Sequence, residues 1–279
     1  MPFFQLPPSG SITPDWWRAA KALILQLDPD DDEAERLARM EIERRAARDI
    51  RRAMAETQQE LFPDGYEPTD AAVEANRTRA AFQSGGSRDA LARALTDSTD
   101  LGVSVAVDQL ANVGFGFDWT LANLNARDWA LTYTDDVLAQ LGTTSARVVG
   151  QAVGRWVTNG EPLPALIRDL APAFGRQRAE MIAATEVTRA YAEGTVRAYR
   201  TSGVIKRLIW RTAMDEKVCP YCGALNGTTI AIEGGAFFDQ LPPELRAQLN
   251  RRANARFTYP PAHPRCRCWV TGTVEEVRT

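Results

Sequence analysis

Apolar residues recur every three or four positions through most of the 279-residue chain, and the spacing shortens to two only near the C-terminal end. The helical period is plainest in RQRAEMIAATEVTRAYAEGTVRAYR. There Met181, Ala184, Thr188, Tyr191, Thr195 and Tyr199 share one stripe, while Glu186, Arg189, Glu193 and Arg197 form a second with opposite charges at the same spacing. Residues 15–60 predict another helix: DPDDDEAE places acids where the macrodipole favours them, and ERRAARDIRRAMAE continues in strong helix formers. LFPDGYEPTD and QSGGSRD break the pattern as loops around a shorter helical stretch, Ala71 to Phe82. From Leu91 to Asn159 the text is rich in Ala, Leu and Val. Its GFGF at 114–117 lacks the third glycine, the preceding strand and the Lys-Ser/Thr of a phosphate loop, and reads as a turn between helices. Asn159-Gly160 marks a stop, with Pro162 or Pro164 in the first turn of the next helix.

After Thr201-Ser202-Gly203 the texture changes. VIKRLIWRTAM alternates and is rich in β-formers, TTIAI and CWVTGTVEEV are further short strands, and PPELRAQLNRRAN is a short helix begun by proline. The expected fold class is a mainly α N-terminal part, residues 1–160, followed by a smaller α+β C-terminal domain, residues 161–279.

Composition alters this picture little, since 44% hydrophobic and 25% charged residues are ordinary soluble, globular values. The first residues lack a basic region followed by an apolar run, and no uncharged stretch reaches the roughly 18 residues of a bilayer span. The expectation is synthesis in a cytoplasm, with no membrane partner. Charge is uneven: up to Gly175 acids exceed bases by nine, and beyond it bases exceed acids by six. Such a basic segment faces nucleic acid or an acidic protein, or is a mixed solvated surface.

All four cysteines and the one histidine lie in two short stretches, DEKVCPYCGALNG and YPPAHPRCRCWV. In CPYC two thiolates stand at i and i+3, and HPRC repeats the spacing with an imidazole and a thiolate, so two such knuckles supply the four tetrahedral ligands of Zn²⁺. The expected ligands are Cys219, Cys222, His263 and Cys266, with Cys268 in reserve, in a structural zinc clasp that fastens the end of VIKRLIWRTAM to the start of CWVTGTV. A redox C-x-x-C, disulfides formed in an oxidising medium, and free buried thiols are the alternatives. No catalytic residue is expected. If His263 binds metal no histidine remains to move protons, Glu186 reads as a helix-surface ion pair, and Asp215 and Glu216 as solvating a turn.

The ordered set of the RAEMIAATEVTRAYAEGTVRAYR helix, the strand LIWRTAMDEKVCPYC, the ALNGTTI segment and PPAHPRCRCWV resembles the phage Mu F-like family of minor head proteins, also called head morphogenesis proteins. The likeness runs from about Asn159 to Val274. It implies a virion component, made in the bacterial host cytoplasm, that associates with the portal protein during head assembly and contacts or travels with the DNA. On this reading the helical N-terminal region docks on the portal or an inner capsid surface, with the Trp16-Trp17 pair as anchors unless both indoles are buried in the protein's own core. A second reading is a module binding double-stranded DNA through Arg246, Arg251, Arg252, Arg256, Arg265 and Arg267 around the knuckles. A third, an enzyme acting on host components, lacks a nucleophile-base or paired-carboxylate constellation.

Overall fold

A computed structural model describes residues 33–112, 114–115, 120–213, 218–250 and 257–273. Helix α1 (Glu33–Leu61) realises the expected N-terminal helix from Glu33 onward; the remainder of that expectation, with Trp16 and Trp17, lies outside the described residues. Helix α2 (Ala71–Phe82) begins at Asp70, whose carboxylate accepts the Ala72 and Val73 N–H groups at 2.7 and 3.0 Å and so satisfies two otherwise orphaned donors. QSGGSRD is only partly loop. Gly85 turns the chain at φ 74°, and α3 (Gly86–Asn112) starts at once, with Asp89 in its first turn and the Ser87 hydroxyl buried 3.4 Å from that of Thr57.

Gly114, at φ 83°, follows α3 as expected for a turn, and α4 (Thr120–Asn159) comes next. Helix α5 (Leu163–Phe174) has Pro162 at its N-cap, and α6 (Arg176–Ser202) is the strongly periodic segment. Three antiparallel strands follow, β1 (Arg207–Arg211), β2 (Thr229–Ala231) and β3 (Trp269–Thr273), in the order β2-β1-β3, with the short helices α7 (Pro220–Leu225) and α8 (Pro243–Asn250) between them. The protein is thus mainly helical, with its small sheet near the C-terminus.

Packing divides the chain into two units. The sheet unit takes the described residues of Met1–Met40, Ser98–Arg127 and Thr188–Thr279; the helical unit takes Glu41–Asp97 and Asp128–Val187. In the sheet unit β1 alternates as its sequence demands, burying Leu208 and Trp210 completely. Trp210 packs against Phe237 at 4.9 Å and Phe257 at 5.3 Å, tilted and edge-on contacts that each stabilise by about 0.5–1.5 kcal/mol beyond area burial. Over this core the expected apolar stripe of α6 closes onto α3 through small residues. A Cβ on Gly194 would stand 2.3 Å from the Thr99 carbonyl, and one on Gly102 2.2 Å from that of Tyr191.

The helical unit is built around Met54, Phe82, Leu91, Leu95 and Leu138, with Phe82 stacked on Phe174 at 5.9 Å. Its loop between α1 and α2 is fastened by a buried carboxylate. Glu74, 1% exposed, accepts the Tyr66 hydroxyl at 2.6 Å and the Arg77 guanidinium at 2.8 Å, while Arg77 also donates to the Leu61 carbonyl at 3.2 Å. Among the described residues no helix is long and apolar enough to cross a membrane.

Candidate metal centre

Arg211 at the end of β1 pairs with Trp269 at the start of β3, so the chain leaving β1 and the chain entering β3 meet at one end of the sheet. Both cysteine-bearing stretches lie there. The first knuckle is a helix start: Cys219 is the N-cap of α7, with backbone at φ −74°, ψ 157°, Pro220 fits the first helical position, and the Cys219 sulfur accepts the Cys222 N–H at 3.4 Å. That geometry turns Cys219 and Cys222 to one side. The second knuckle is a reverse turn. Cys266 N–H donates to the His263 carbonyl at 3.1 Å, Pro264 supplies the first central position, and Arg265 takes the second at φ 61°, a left-handed conformation usually left to glycine. The turn carries His263 toward Cys219 and Cys222 and Cys266 toward Cys222 and Cys268, rather than setting His263 and Cys266 side by side as the repeated spacing predicted, at the cost of a strained arginine.

His263 Nδ1 lies 2.8 Å from the Pro264 carbonyl oxygen. A carbonyl only accepts, so Nδ1 carries a proton, which leaves Nε2 as the nitrogen facing the thiols, 3.1 Å from the Cys219 sulfur and 3.1 Å from the Cys222 sulfur. Cys222 also lies 3.6 Å from Cys266. The five donors form two overlapping groups, Cys219–Cys222–His263 and Cys222–Cys266–Cys268, in each of which the ligand atoms lie within 4.8 Å of one another. Cys222 belongs to both. The sequence expectation gave four ligands and a reserve; the geometry puts Cys266 and Cys268 side by side in the second group.

Three of these cysteines, Cys222, Cys266 and Cys268, are 3%, 1% and 2% exposed and belong to the apolar core that includes Trp210 and Phe257. Negative charge there requires compensation. The S–H groups of Cys222 and then Cys268 hold the Cys266 thiol well below its ordinary range, and the same bond to Cys266 pushes Cys222 up. A donor set of thiolates and one neutral imidazole nitrogen, converging from two chain segments, has the chemistry of a soft or borderline divalent cation site.

The ligand loop is also held from outside. The Thr188 hydroxyl of α6 donates to the Cys266 carbonyl at 2.8 Å, and Arg39 of α1 donates to the Arg267 carbonyl at 3.5 Å from between the rings of Tyr191, at 5.2 Å, and Trp269, at 5.5 Å. The Tyr191 hydroxyl bonds Glu35, and burial, then Glu35, pushes its phenol well above the ordinary range. Sequence reasoning saw Thr188 and Tyr191 only as members of a stripe and missed Arg39. Nothing local marks an arginine in a charged helix as one that reaches a loop 228 residues away.

Of the other expected site residues, Arg246 lies on α8 with its Nε buried, Arg265 is exposed at the turn and Arg267 is half-buried beside the ligands. Arg251, Arg252, Arg256, Asp215 and Glu216 lie outside the described residues. Glu186 accepts the Tyr133 hydroxyl at 3.1 Å.

Residues 147–271, somewhat under half of the chain, match the family model described as Phage Mu protein F like protein. No curated protein and no solved structure matched the chain. The matched span runs from the later turns of α4 into β3, enclosing α5, α6, both knuckles, β1 and β2. Residues 147–271 are thus similar to the Phage Mu protein F like family, and the likeness is confined to that segment.

Proposed function

We propose that this protein is a structural minor head protein of a tailed phage or prophage, present in the virion, that associates with the portal protein and an inner capsid surface during head assembly. The observation that carries the reading is the family match over the segment that contains both knuckles. We read its role as architectural: Cys222, Cys266 and Cys268 are buried in the apolar core, and the one imidazole lies 3.1 Å from two cysteine sulfurs as part of the same donor set. Zn²⁺ held by Cys219, Cys222, His263 and one of Cys266 and Cys268 would neutralise the buried thiolates and tie the chain after β1 to the chain before β3. The docking surface is assigned to the N-terminal region with Trp16 and Trp17.

The test is co-expression of the full chain with the portal protein of the same phage, followed by affinity capture. The expected result is co-purification that falls at least tenfold in a Trp16→Ala/Trp17→Ala chain. Capture of no portal protein by the wild-type chain would overturn the portal reading. Unchanged capture by the double variant would overturn only the tryptophan assignment.

A further inference from the structure

Several arginines of the helical unit meet a carboxylate: Arg45 and Asp97 at 3.2 Å, Arg155 and Asp169 at 3.1 Å, Arg176 and Glu180 at 2.6 Å. Arg178 does not. It stands half-buried in the first turn of α6, where its Nη2 donates only to hydroxyls, Thr144 Oγ1 at 2.6 Å and Ser145 Oγ at 3.3 Å, and its Nε is buried without a hydrogen-bond partner. Arg147, on α4 beside those hydroxyls, is exposed and makes no ion pair with any described residue. Burial first, and then the charge of Arg147, hold the Arg178 guanidinium below its ordinary range. The start of a helix is also the end at which the macrodipole opposes a cation. Burial, a like charge and the helix dipole thus all act against one positive group, and no carboxylate among the described residues offsets them.

Arg147 also lines an open groove of about 450 Å³ between α2 and α4. Its floor is made of small residues, among them Ala71, Ala75, Ala146 and Gly150, and its only charged lining residues are Arg79 and Arg147. A Cβ on Gly150 would lie 3.4 Å from the Ala71 carbonyl and from the Ala75 Cβ, so the glycine allows the close helix approach that leaves a shallow, cationic surface.

We propose that Arg147 and Arg178, with the Thr144 and Ser145 hydroxyls, form an oxyanion site that takes a phosphate group, with Arg79 extending the same cationic face along the groove. The hydroxyls hold Nη2 of the Arg178 fork and leave its Nη1 N–H groups for an acceptor. A phosphate, with several strong acceptor oxygens and up to two negative charges, satisfies two guanidinium groups where a single carboxylate satisfies one. Inorganic phosphate and a backbone phosphate of duplex DNA share this chemistry. The site is distinct from the basic residues around the knuckles and stands without the metal or portal readings.

The experiment measures thermal unfolding of the full-length protein in phosphate and in chloride at matched ionic strength, for wild type and for Arg147→Gln. At about tenfold excess over Kd, phosphate is expected to raise the wild-type Tm by roughly 3–6 °C, and the variant is expected to lose at least half of that shift. In chloride the variant should melt at the same temperature as wild type or higher, because it removes a like charge from beside Arg178. No phosphate shift in wild type, or an equal shift in the variant, overturns the site. A second arm titrates duplex DNA at two salt concentrations. Where the phosphate shift depends on Arg147, weaker DNA binding by the variant, with a salt slope smaller by about one, assigns the site to the DNA backbone, and unchanged DNA binding assigns it to free phosphate.

Discussion

In the helical unit the large buried side chains Met54, Phe82, Leu91, Leu95 and Leu138 come from α1, α2, α3 and α4, elements of 12 to 40 residues that satisfy their own backbone hydrogen bonds. In the sheet unit, strands of five, three and five residues share their core with three cysteines. A helix brings its hydrogen-bond partners with it, whereas a three-residue strand such as β2 depends on what holds its neighbour in register. The contrast teaches where cross-linking matters: the donors are gathered at the end of the sheet where β1 and β3 meet, in the region with the least local structure to stabilise it.

The most severe way to break the contrast is Cys222→Ser, because Cys222 is the donor common to both groups. The variant is expected to lose stoichiometric metal, and amide exchange across 204–211, 229–232 and 257–273 should accelerate by roughly a hundredfold or more, while α2 and α5 stay protected. Exchange read by mass spectrometry checks this. Equal acceleration in both units would mean that the centre does not act locally.

Next in size is a pair of identical substitutions. Gly194→Ala in the sheet unit drives a Cβ to 2.3 Å from a backbone carbonyl, with a net destabilisation of about 2–3 kcal/mol. In the helical unit Gly154→Ala finds only the Ala71 Cβ at 3.8 Å, ordinary contact, and should stabilise by about 0.5–1 kcal/mol through helix propensity. Chemical denaturation of both variants reads the opposite signs.

Glu74→Gln sharpens the comparison from the other side, since a buried polar group fastens a loop in the helical unit. It weakens the bond to Arg77, whose side chain is 37% exposed and keeps part of its solvation, so the expected loss is about 1–2 kcal/mol. The metal content should not change.

Much of this was legible in the sequence. Helix α2 follows the breaks at LFPDGYEPTD and QSGG, α6 its stripe, and all three strands the change of period after Gly203, because these features are local. The knuckles were legible for the same reason: a C-x-x-C at a helix start and an H-P-x-C turn fix their side chains within four residues. What was not legible depends on distant partners. The grouping of Cys268 with Cys222 and Cys266, the reach of Arg39 to Arg267, and the seating of Arg178 on hydroxyls rather than on a described carboxylate arise only when separate segments pack. The start of α3 at Gly86 was misread because Gly-Gly-Ser resembles a loop, whereas one glycine makes the turn and the next already belongs to the helix.

The central claim, that a metal ion on the shared cysteines and His263 organises the sheet unit, is tested most directly by elemental analysis of the purified wild-type chain, combined with amide exchange before and after chelation. The account predicts close to one zinc per chain, and a chelation-induced rise in exchange confined to residues 204–273. A metal-free chain with its cysteines joined as disulfides, or one whose exchange is unchanged by chelation, would contradict it.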